Sequence, residues 1–234
     1  MRLTIMSYNI QSGRNAFKRL SLEEAPEIIS KYRPDVCGLM EVRKCTGDLN
    51  GLDQAKFIAE RTNMHYAFAK AIDYLNGEYG VALLSRFPIE EFTCMPVPSL
   101  PQCERDQRYE DRVLLKAVLR PNGKRVCIFV THYGLSEKEQ ENACELTVRE
   151  IQKEKDPTIF MGDLNITPDH PLIHKLKAYL TDTAGNKQYY TYSSENLFQR
   201  IDYIFVSPNI TPVNHYAPHS MASDHIPVIT EVEI

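Results

Sequence analysis

The sequence IFMGDLNITPD, residues Ile159 to Asp169, carries an apolar run directly into a carboxylate and an amide. If residues 158–161 form a buried strand, Asp163 and Asn165 lie at the open end of that strand. Side chains two residues apart on an extended chain point the same way, so the two groups would face one place. The stretch therefore predicts a polar site at a sheet edge, which would hold a metal, a phosphate or an attacking water.

Other apolar runs of the chain meet polar residues in the same way. These residues are all Asn, Asp, Glu or His, a set that suits a hard divalent cation and proton transfer near neutral pH. No P-loop, no GxSxG elbow and no Cys/His zinc spacing accompanies them. The positions are Asn9, Glu41, His132, Asp163, Asn165, Asp202, Asp224 and His225.

Strand and helix patterns alternate along the chain, which predicts the α/β class. With 234 residues and 43% hydrophobic residues, the chain suits a single domain over residues 1–234. Two helices begin with capping-box spacing, Ser21/Glu24 and Ser136/Glu139, and Asn122-Gly123 predicts a hairpin. The predicted helices are SLEEAPEIISKY, LDQAKFIAERT, SEKEQENACELTVREIQKEK and HPLIHKLKAYL. The predicted strands are RLTIMSYN, a short apolar strand after the turn in RPDVCGLME, YGVALLS, RVLLKAVL, KRVCIFVTH, TIFMGD, RIDYIFVS and HIPVITEVEI.

The composition limits the partners and the compartment. A formal net charge of −4 gives no support for a broad basic face, and hence none for tight, processive nucleic-acid binding. No signal-peptide core and no run of membrane-spanning length is visible, so we expect no stable membrane insertion. The six Cys residues show no CxxC spacing. We therefore predict a cytoplasmic protein with reduced thiols, and we expect a monomer.

The longest unpatterned segment runs from Pro96 to Asp111. Long loops without secondary structure are often functional. Since this loop joins two strand-rich halves and carries Arg105 and Arg108, we predict that it borders the site and shapes substrate choice.

The ordered motifs of the chain resemble those of the endonuclease/exonuclease/phosphatase superfamily, and in particular its small bacterial phosphoesterases. The matching motifs are SYNI, LMEV, GVALLSRFPI, THYGL, GDLN, RIDYIFVS and SDHIPV, and they span about Leu3 to Ile229. The resemblance implies a four-layered α/β sandwich, with two central mixed sheets flanked by helices and the active site at one edge. It also implies divalent-metal-dependent cleavage of phosphate esters.

The resemblance assigns metal-binding positions in this sequence. Glu41 matches the principal metal-binding Glu, Asn9 matches an Asn that helps to place metal or phosphate, and Asp224 matches a further acidic position at the metal. Glu78 matches more loosely a Glu that supports His132 in some members. The implied cofactor is Mg²⁺, for which Mn²⁺ would substitute.

The resemblance also assigns catalytic positions. Asp163 and Asn165 match the GDxN pair, which orients or deprotonates the attacking water and binds phosphate. His132 matches the phosphate-contacting His. His225 matches the catalytic His, and Asp202 matches the carboxylate that orients it.

The substrate class remains open between three hypotheses. We favour a phosphodiesterase or phosphatase for a small or lipid-derived phosphate ester. A nuclease acting on DNA or abasic DNA is the alternative, although the chain has no Trp and an acidic balance. A catalytically silent binding domain of the same fold is the third hypothesis, but such a protein would be expected to lack Glu41, His132, Asp163 or His225.

Overall fold

The structure is a computed structural model that describes residues 1–234. It contains four α-helices and twelve strands. The helices are α1 (Glu24–Tyr32), α2 (Gln54–Thr62), α3 (Glu137–Ile151) and α4 (Pro171–Lys177). The strands are β1 (Arg2–Asn9), β2 (Val36–Lys44), β3 (His65–Tyr74), β4 (Gly77–Ser85), β5 (Ile89–Pro96), β6 (Val113–Leu119), β7 (Val126–His132), β8 (Thr158–Asp163), β9 (Thr181–Asp182), β10 (Asp202–Val206), β11 (Thr211–Tyr216) and β12 (Val228–Glu233).

The strands form two mixed six-stranded sheets. The first has the order β11-β12-β1-β2-β4-β3, and the second has the order β5-β6-β7-β8-β10-β9. One parallel pair lies at the centre of each sheet, β1 with β2 and β7 with β8, while the other neighbours are antiparallel. Parallel strands end at the same edge, so each sheet brings two carboxyl ends together near its middle.

Three apolar clusters stack the elements into four layers. A cluster of 22 buried residues, which includes Ile5 and Met161, lies between the two sheets. A second cluster joins α3 and α4 to the outer face of the second sheet, and a third joins α1 and α2 to the outer face of the first sheet. Both faces of each sheet are therefore covered. This arrangement confirms the predicted α/β sandwich of two central mixed sheets flanked by helices.

Gly162 is required by the close approach of β7 and β8. A Cβ atom at this position would lie 2.1 Å from the carbonyl oxygen of Thr131, far inside contact distance. The glycine thus lets β8 pair in register with β7 up to Asp163, which lies opposite His132. The Gly-Asp step of the GDLN motif consequently sets the position of the carboxylate.

The eight predicted strands are all present, and four further strands were not predicted from the sequence. The missed strands are β3, β5, β9 and β11, which are the four edge strands of the two sheets. β5 shows the reason, because most of its side chains are exposed and its sequence IEEFTCMP lacks an apolar run. The Asn122-Gly123 turn does connect the antiparallel pair β6 and β7, as predicted.

The two capping-box predictions differ in outcome. At α3, the Ser136 hydroxyl accepts from the backbone amide of Glu139 and the Glu139 side chain returns to the Ser136 amide, which confirms the box. At α1 the prediction was wrong, because the N-cap is Glu23 and no side chain caps the helix. None of the helices combines the length and the apolar character needed to cross a membrane.

Candidate active site

The polar residues at the strand ends meet across the two sheets. Asn9, the last residue of β1, is fully buried and donates from Nδ2 to Glu41 Oε1 at 3.0 Å. The same nitrogen donates to Asp163 Oδ2 of the second sheet at 3.1 Å. The Asn9 carbonyl oxygen Oδ1 accepts from the backbone amide of Gln11. Asn9 thus joins two carboxylates that lie far apart in the sequence, while its role as a direct metal ligand stays a prediction.

Glu41 lies in a bulge that turns it toward the site. The pairing of β2 with β4 shifts register between Leu39 and Val42, and Glu41 adopts a left-handed backbone with φ of 58°. Non-glycine residues in this region are strained, and such strain clusters at functional sites. Burial raises the pKa of the Glu41 carboxyl, against the favourable hydrogen bond from Asn9.

Asp163, His225 and Asp202 form a buried chain of proton-binding groups. His225 Nδ1 lies 2.8 Å from Asp202 Oδ2, and His225 Nε2 lies 3.6 Å from Asp163 Oδ2. Burial opposes the charge on His225, but the Asp202 and Asp163 carboxylates together raise its pKa to about 10. Burial, aided by repulsion from Asp202, raises the pKa of Asp163 to about 7. These three side chains therefore combine a protonated imidazole with a carboxylate that exchanges its proton near neutral pH.

Register explains how these residues reach one another. Asp202 begins β10 and pairs with Asp163 at the end of the antiparallel strand β8. His225 comes from the segment before β12, which is held at the end of β1 because the Ser223 hydroxyl donates to the Asn9 carbonyl at 2.7 Å. The Tyr192 ring packs against the His225 ring with centroids 4.9 Å apart.

The buried guanidinium of Arg112 determines the tautomer of His132. Arg112 Nη1, which can only donate, lies 3.4 Å from His132 Nδ1, and the Asp163 Oδ2 acceptor lies 3.5 Å from Nε2, so both contacts favour an accepting Nδ1 and a ring proton on Nε2. Burial first, and then the charge of Arg112, hold the pKa of His132 well below its usual value. His132 is therefore a neutral donor whose Nε2 faces Asp163 Oδ2 at 3.5 Å.

Two hydrogen-bond donors converge beside Asp163. Asn165 Nδ2 donates to the Tyr133 carbonyl oxygen at 3.0 Å, which fixes the orientation of the amide. The same nitrogen lies 3.2 Å from His132 Nε2, which carries the ring proton. A close donor–donor contact is unfavourable unless both hydrogens share an acceptor. The geometry of His132 and Asn165 thus suits an anionic oxygen bound in front of both.

Asp224 completes the acidic side of the site. It accepts from Gln11 Nε2 and lies 3.6 Å from Lys18 Nζ. Together with Glu41, it lines a cavity of about 640 Å³ into which His132, Asp163, Asn165 and His225 also face. Of the eight principal residues predicted from the sequence, the structure brings six to this cavity and places Asn9 and Asp202 directly behind it.

Glu78 does not lie at the site, which corrects the expectation that it supports His132. Its carboxylate accepts from Lys44 Nζ at 3.0 Å and lines a separate surface depression. Neighbouring strand residues point to opposite faces. Since Tyr79 faces the cavity lined by Glu41 and Asp224, Glu78 faces away from it. Arg112 occupies the place beside His132 that the resemblance gave to a carboxylate.

Sequence reasoning missed Arg112, Glu110 and Tyr79, which line the same cavity. Arg112 immediately precedes β6, and its Nη1 lies 3.2 Å from Glu110 Oε2. Arg112 comes beside His132 because Leu114 of β6 pairs with Thr131 of β7. The hairpin register alone would place Val113 opposite His132, and Arg112 comes beside His132 only because it lies just before the start of β6. No motif and no strand pattern in the sequence marks Arg112.

The loop Pro96–Asp111 contributes to the site through only one of its two predicted arginines. Arg108 lines the candidate active-site cavity together with Glu110. Arg105 instead donates to the Leu100 carbonyl at 2.9 Å and stacks over the Tyr109 ring at 4.5 Å. The loop therefore borders the cavity at Arg108, while its effect on substrate choice stays a prediction.

Comparison with known proteins gives matches along the whole chain. Residues 6–225 match the model of the Endonuclease/Exonuclease/phosphatase family. The chain is 24% identical to the Escherichia coli protein YbhP over 253 residues, covering 98% of this chain and 96% of that one. An endonuclease/exonuclease/phosphatase structure from Bacteroides vulgatus superposes with a TM-score of 0.82 at 17% identity, covering 100% and 99% of the two chains. A mannosyl-6-phosphatase from Bacteroides thetaiotaomicron gives 0.75 at 19% identity, covering 99% and 100%.

Proposed function

The chain belongs to the Endonuclease/Exonuclease/phosphatase family, and from that premise we propose that it is a divalent-metal-dependent hydrolase that cleaves phosphate esters by in-line attack of an activated water. The observation that carries the proposal is the hydrogen-bonded series Glu41–Asn9–Asp163 beside the Asp202–His225 pair. It unites carboxylates, donors and a proton-exchanging group in one cavity. These are the parts that phosphate hydrolysis needs.

The donor set fits a divalent cation. Four carboxylates line the cavity with only two arginines, and Glu41 is desolvated with a single amide as its close partner. We assign Glu41 and Asp224, with Asn9 beside them, as the residues that would hold Mg²⁺ or Mn²⁺. When bound, the metal would supply Lewis acidity at the phosphate. Asp163, Asp202 and His225 also cluster within 4.8 Å, but Asp202 already engages Nδ1 of His225, which favours an orienting role.

The side chains divide the chemical steps among them. Asp163, whose pKa is about 7, accepts the proton of the attacking water. His132 Nε2 and Asn165 Nδ2, which lie 3.2 Å apart, donate to nonbridging phosphate oxygens. His225, kept protonated by Asp202, stabilises the negative charge that develops on the phosphoryl group.

The fold neighbours give context for the substrate class. One of them is a mannosyl-6-phosphatase, which by its name acts on a sugar phosphate. The bounded cavity, with four carboxylates in its lining, favours a small phosphate ester over a long polyanion in this chain.

The test is hydrolysis of bis(p-nitrophenyl) phosphate and p-nitrophenyl phosphate with Mg²⁺ or Mn²⁺, each with and without EDTA. We expect metal-dependent release of p-nitrophenolate that EDTA abolishes. The Asp163→Asn variant serves as the matched loss-of-function control. Absence of metal-dependent turnover on both esters, and on plasmid DNA and abasic oligonucleotides, would refute the proposal.

A further inference from the structure

A second cleft opens beside the catalytic cavity. We call it the distal cleft; it is lined by Lys177, residues 185–190 and residues 198–200, and has a volume of about 400 Å³. Thr167 and Gln199 line both this cleft and the catalytic cavity, so the two are contiguous. A volume of this size accommodates a small-molecule substituent.

The distal cleft is positively charged. Lys177, Lys187 and Arg200 line it, and Asp182 is the only carboxylate paired with them. Lys187 lines the cleft and donates from Nζ to the His215 backbone carbonyl oxygen at 2.8 Å, which uses one of the three ammonium donors and leaves two. In a chain of net charge −4, next to a cavity rich in carboxylates, this local excess of cations favours an anion.

The base of the distal cleft contains an incompletely satisfied cation. Arg200 is only 6% exposed, and its Nη2 donates to Asp182 Oδ1 at 2.6 Å, yet its Nε has no partner. The guanidinium stacks over the Tyr189 ring at 4.7 Å, and the Tyr189 hydroxyl is likewise buried without a partner. Buried donors of this kind are normally satisfied, so they favour a polar ligand at this place.

The rim of the distal cleft is aromatic. Tyr190 and Phe198 are each 54% exposed although they are large apolar side chains. Flat rings beside cationic groups suit a ligand that carries both a ring and a phosphate.

We propose that the distal cleft binds a second phosphate group of the substrate, together with the ring that carries it, while the scissile phosphate occupies the catalytic cavity. This inference rests on the proposed hydrolase function and narrows its substrate class to phosphate esters with a second anionic group. Lys177, Lys187 and Arg200 hold that phosphate, and Tyr190 and Phe198 pack against the ring.

A matched pair of substrates tests the second phosphate. Thymidine 5′-(p-nitrophenyl phosphate) is compared with the same ester bearing a 3′-phosphate, so the leaving group is constant. We expect the 3′-phosphate to raise kcat/KM about tenfold, the scale of one charge-assisted hydrogen bond. The double variant Lys177→Gln/Lys187→Gln should bring the ratio close to one. Lys175→Gln is the control, since Lys175 lies on α4 outside the cleft and pairs with Glu145.

Binding without metal provides an independent readout. Thymidine 3′,5′-bisphosphate and glucose 1,6-bisphosphate are titrated calorimetrically into the metal-free protein in EDTA. We expect the double variant to weaken both ligands about tenfold. If Phe198→Ala then weakens only the nucleotide, the preferred ring is a base; if it weakens both equally, the preferred ring includes a sugar. Tyr179→Ala, an exposed tyrosine outside the cleft, is the control.

The two readouts separate this inference from the proposed function. The proposed phosphate site in the distal cleft would be overturned by equal kcat/KM values for the two thymidine esters in the parent protein. It would also be overturned if the Lys177→Gln/Lys187→Gln variant kept both the parent ratio of kcat/KM and the parent affinity for the bisphosphates. If no ester is hydrolysed with any metal, the proposed function fails, and the titration in EDTA still decides the cleft.

Discussion

His225 Nδ1 lies 2.8 Å from Asp202 Oδ2, and both side chains are almost fully buried. The contact joins the segment before β12 in the first sheet to the first residue of β10 in the second sheet. A carboxylate that accepts from one imidazole nitrogen directs the other nitrogen, here Nε2 toward Asp163.

Replacement of Asp202 by Asn should lower both the pKa of His225 and the reaction rate. Because Asp202 raises the His225 pKa, an NMR titration of the variant should give a lower value than in the parent. We expect a loss of about 10²–10⁴ in kcat/KM with metal affinity retained. His225→Ala should lose a similar amount, and the double variant should be little worse than either single one. Strictly multiplicative losses would show that the two residues act independently.

Replacement of Glu41 should remove metal binding. Even supporting residues of metal sites typically contribute 10- to 100-fold in affinity, so we expect Glu41→Gln to raise the Mn²⁺ dissociation constant by at least about 100-fold. The matched control is Glu78→Gln, since Glu78 pairs with Lys44 away from the cavity. Isothermal calorimetry measures both variants, and circular dichroism checks the fold. Equal Mn²⁺ affinity in the two variants would contradict the assignment of Glu41.

Replacement of Arg112 should allow His132 to populate both of its neutral tautomers. The guanidinium forces Nδ1 to accept, so ¹⁵N NMR of the parent should report a protonated Nε2. Arg112→Met removes the donor, and we expect a mixture of tautomers and a loss in kcat with a smaller change in KM. Arg112→Lys restores a donor and should rescue the Nε2–H form. A parent spectrum showing protonated Nδ1 would refute this account.

The two arginines of the loop Pro96–Asp111 should differ in effect. Arg108 lines the candidate active-site cavity, whereas Arg105 is engaged with Leu100 and Tyr109 within the loop. We expect Arg108→Ala to change the ranking of kcat/KM across a panel of phosphate esters. Arg105→Ala should leave that ranking unchanged. An unchanged ranking in the Arg108 variant would exclude this loop from substrate selection.

The metal-free protein should lose stability as the pH rises from 7 to 9. The folded-state pKa of His225 is raised to about 10, so its stabilising contribution is complete below the unfolded value near 6.5 and is lost as the pH rises through 10. In this window the free energy of unfolding should fall with a slope approaching about 1.4 kcal/mol per pH unit. Urea unfolding in EDTA measures it, and His225→Asn should flatten the slope. An equal slope in that variant would assign the effect to another group.

The sequence alone determined the interior strands and the chemical identity of the site. Interior strands are buried on both faces, so their sequences are nearly continuous apolar runs, and the polar residues that end those runs stand out. Asn9, Glu41, His132 and Asp163 were identified in this way, and they do converge. The ordered motifs around them then predicted the family and the layered sandwich.

The tertiary structure alone decided the edge strands and the partners of the site residues. An edge strand such as β5 has neighbours on one side only and needs no apolar run, so its pattern is weak. Partners depend on strand register, which motif spacing does not contain. Pairing of β2 with β4 places Glu78 opposite Lys44, three residues past Glu41, while the β6–β7 hairpin brings Arg112 to His132. The ring proton of His132 lies on Nε2 for this reason, because the residue beside Nδ1 is a cation and not a carboxylate.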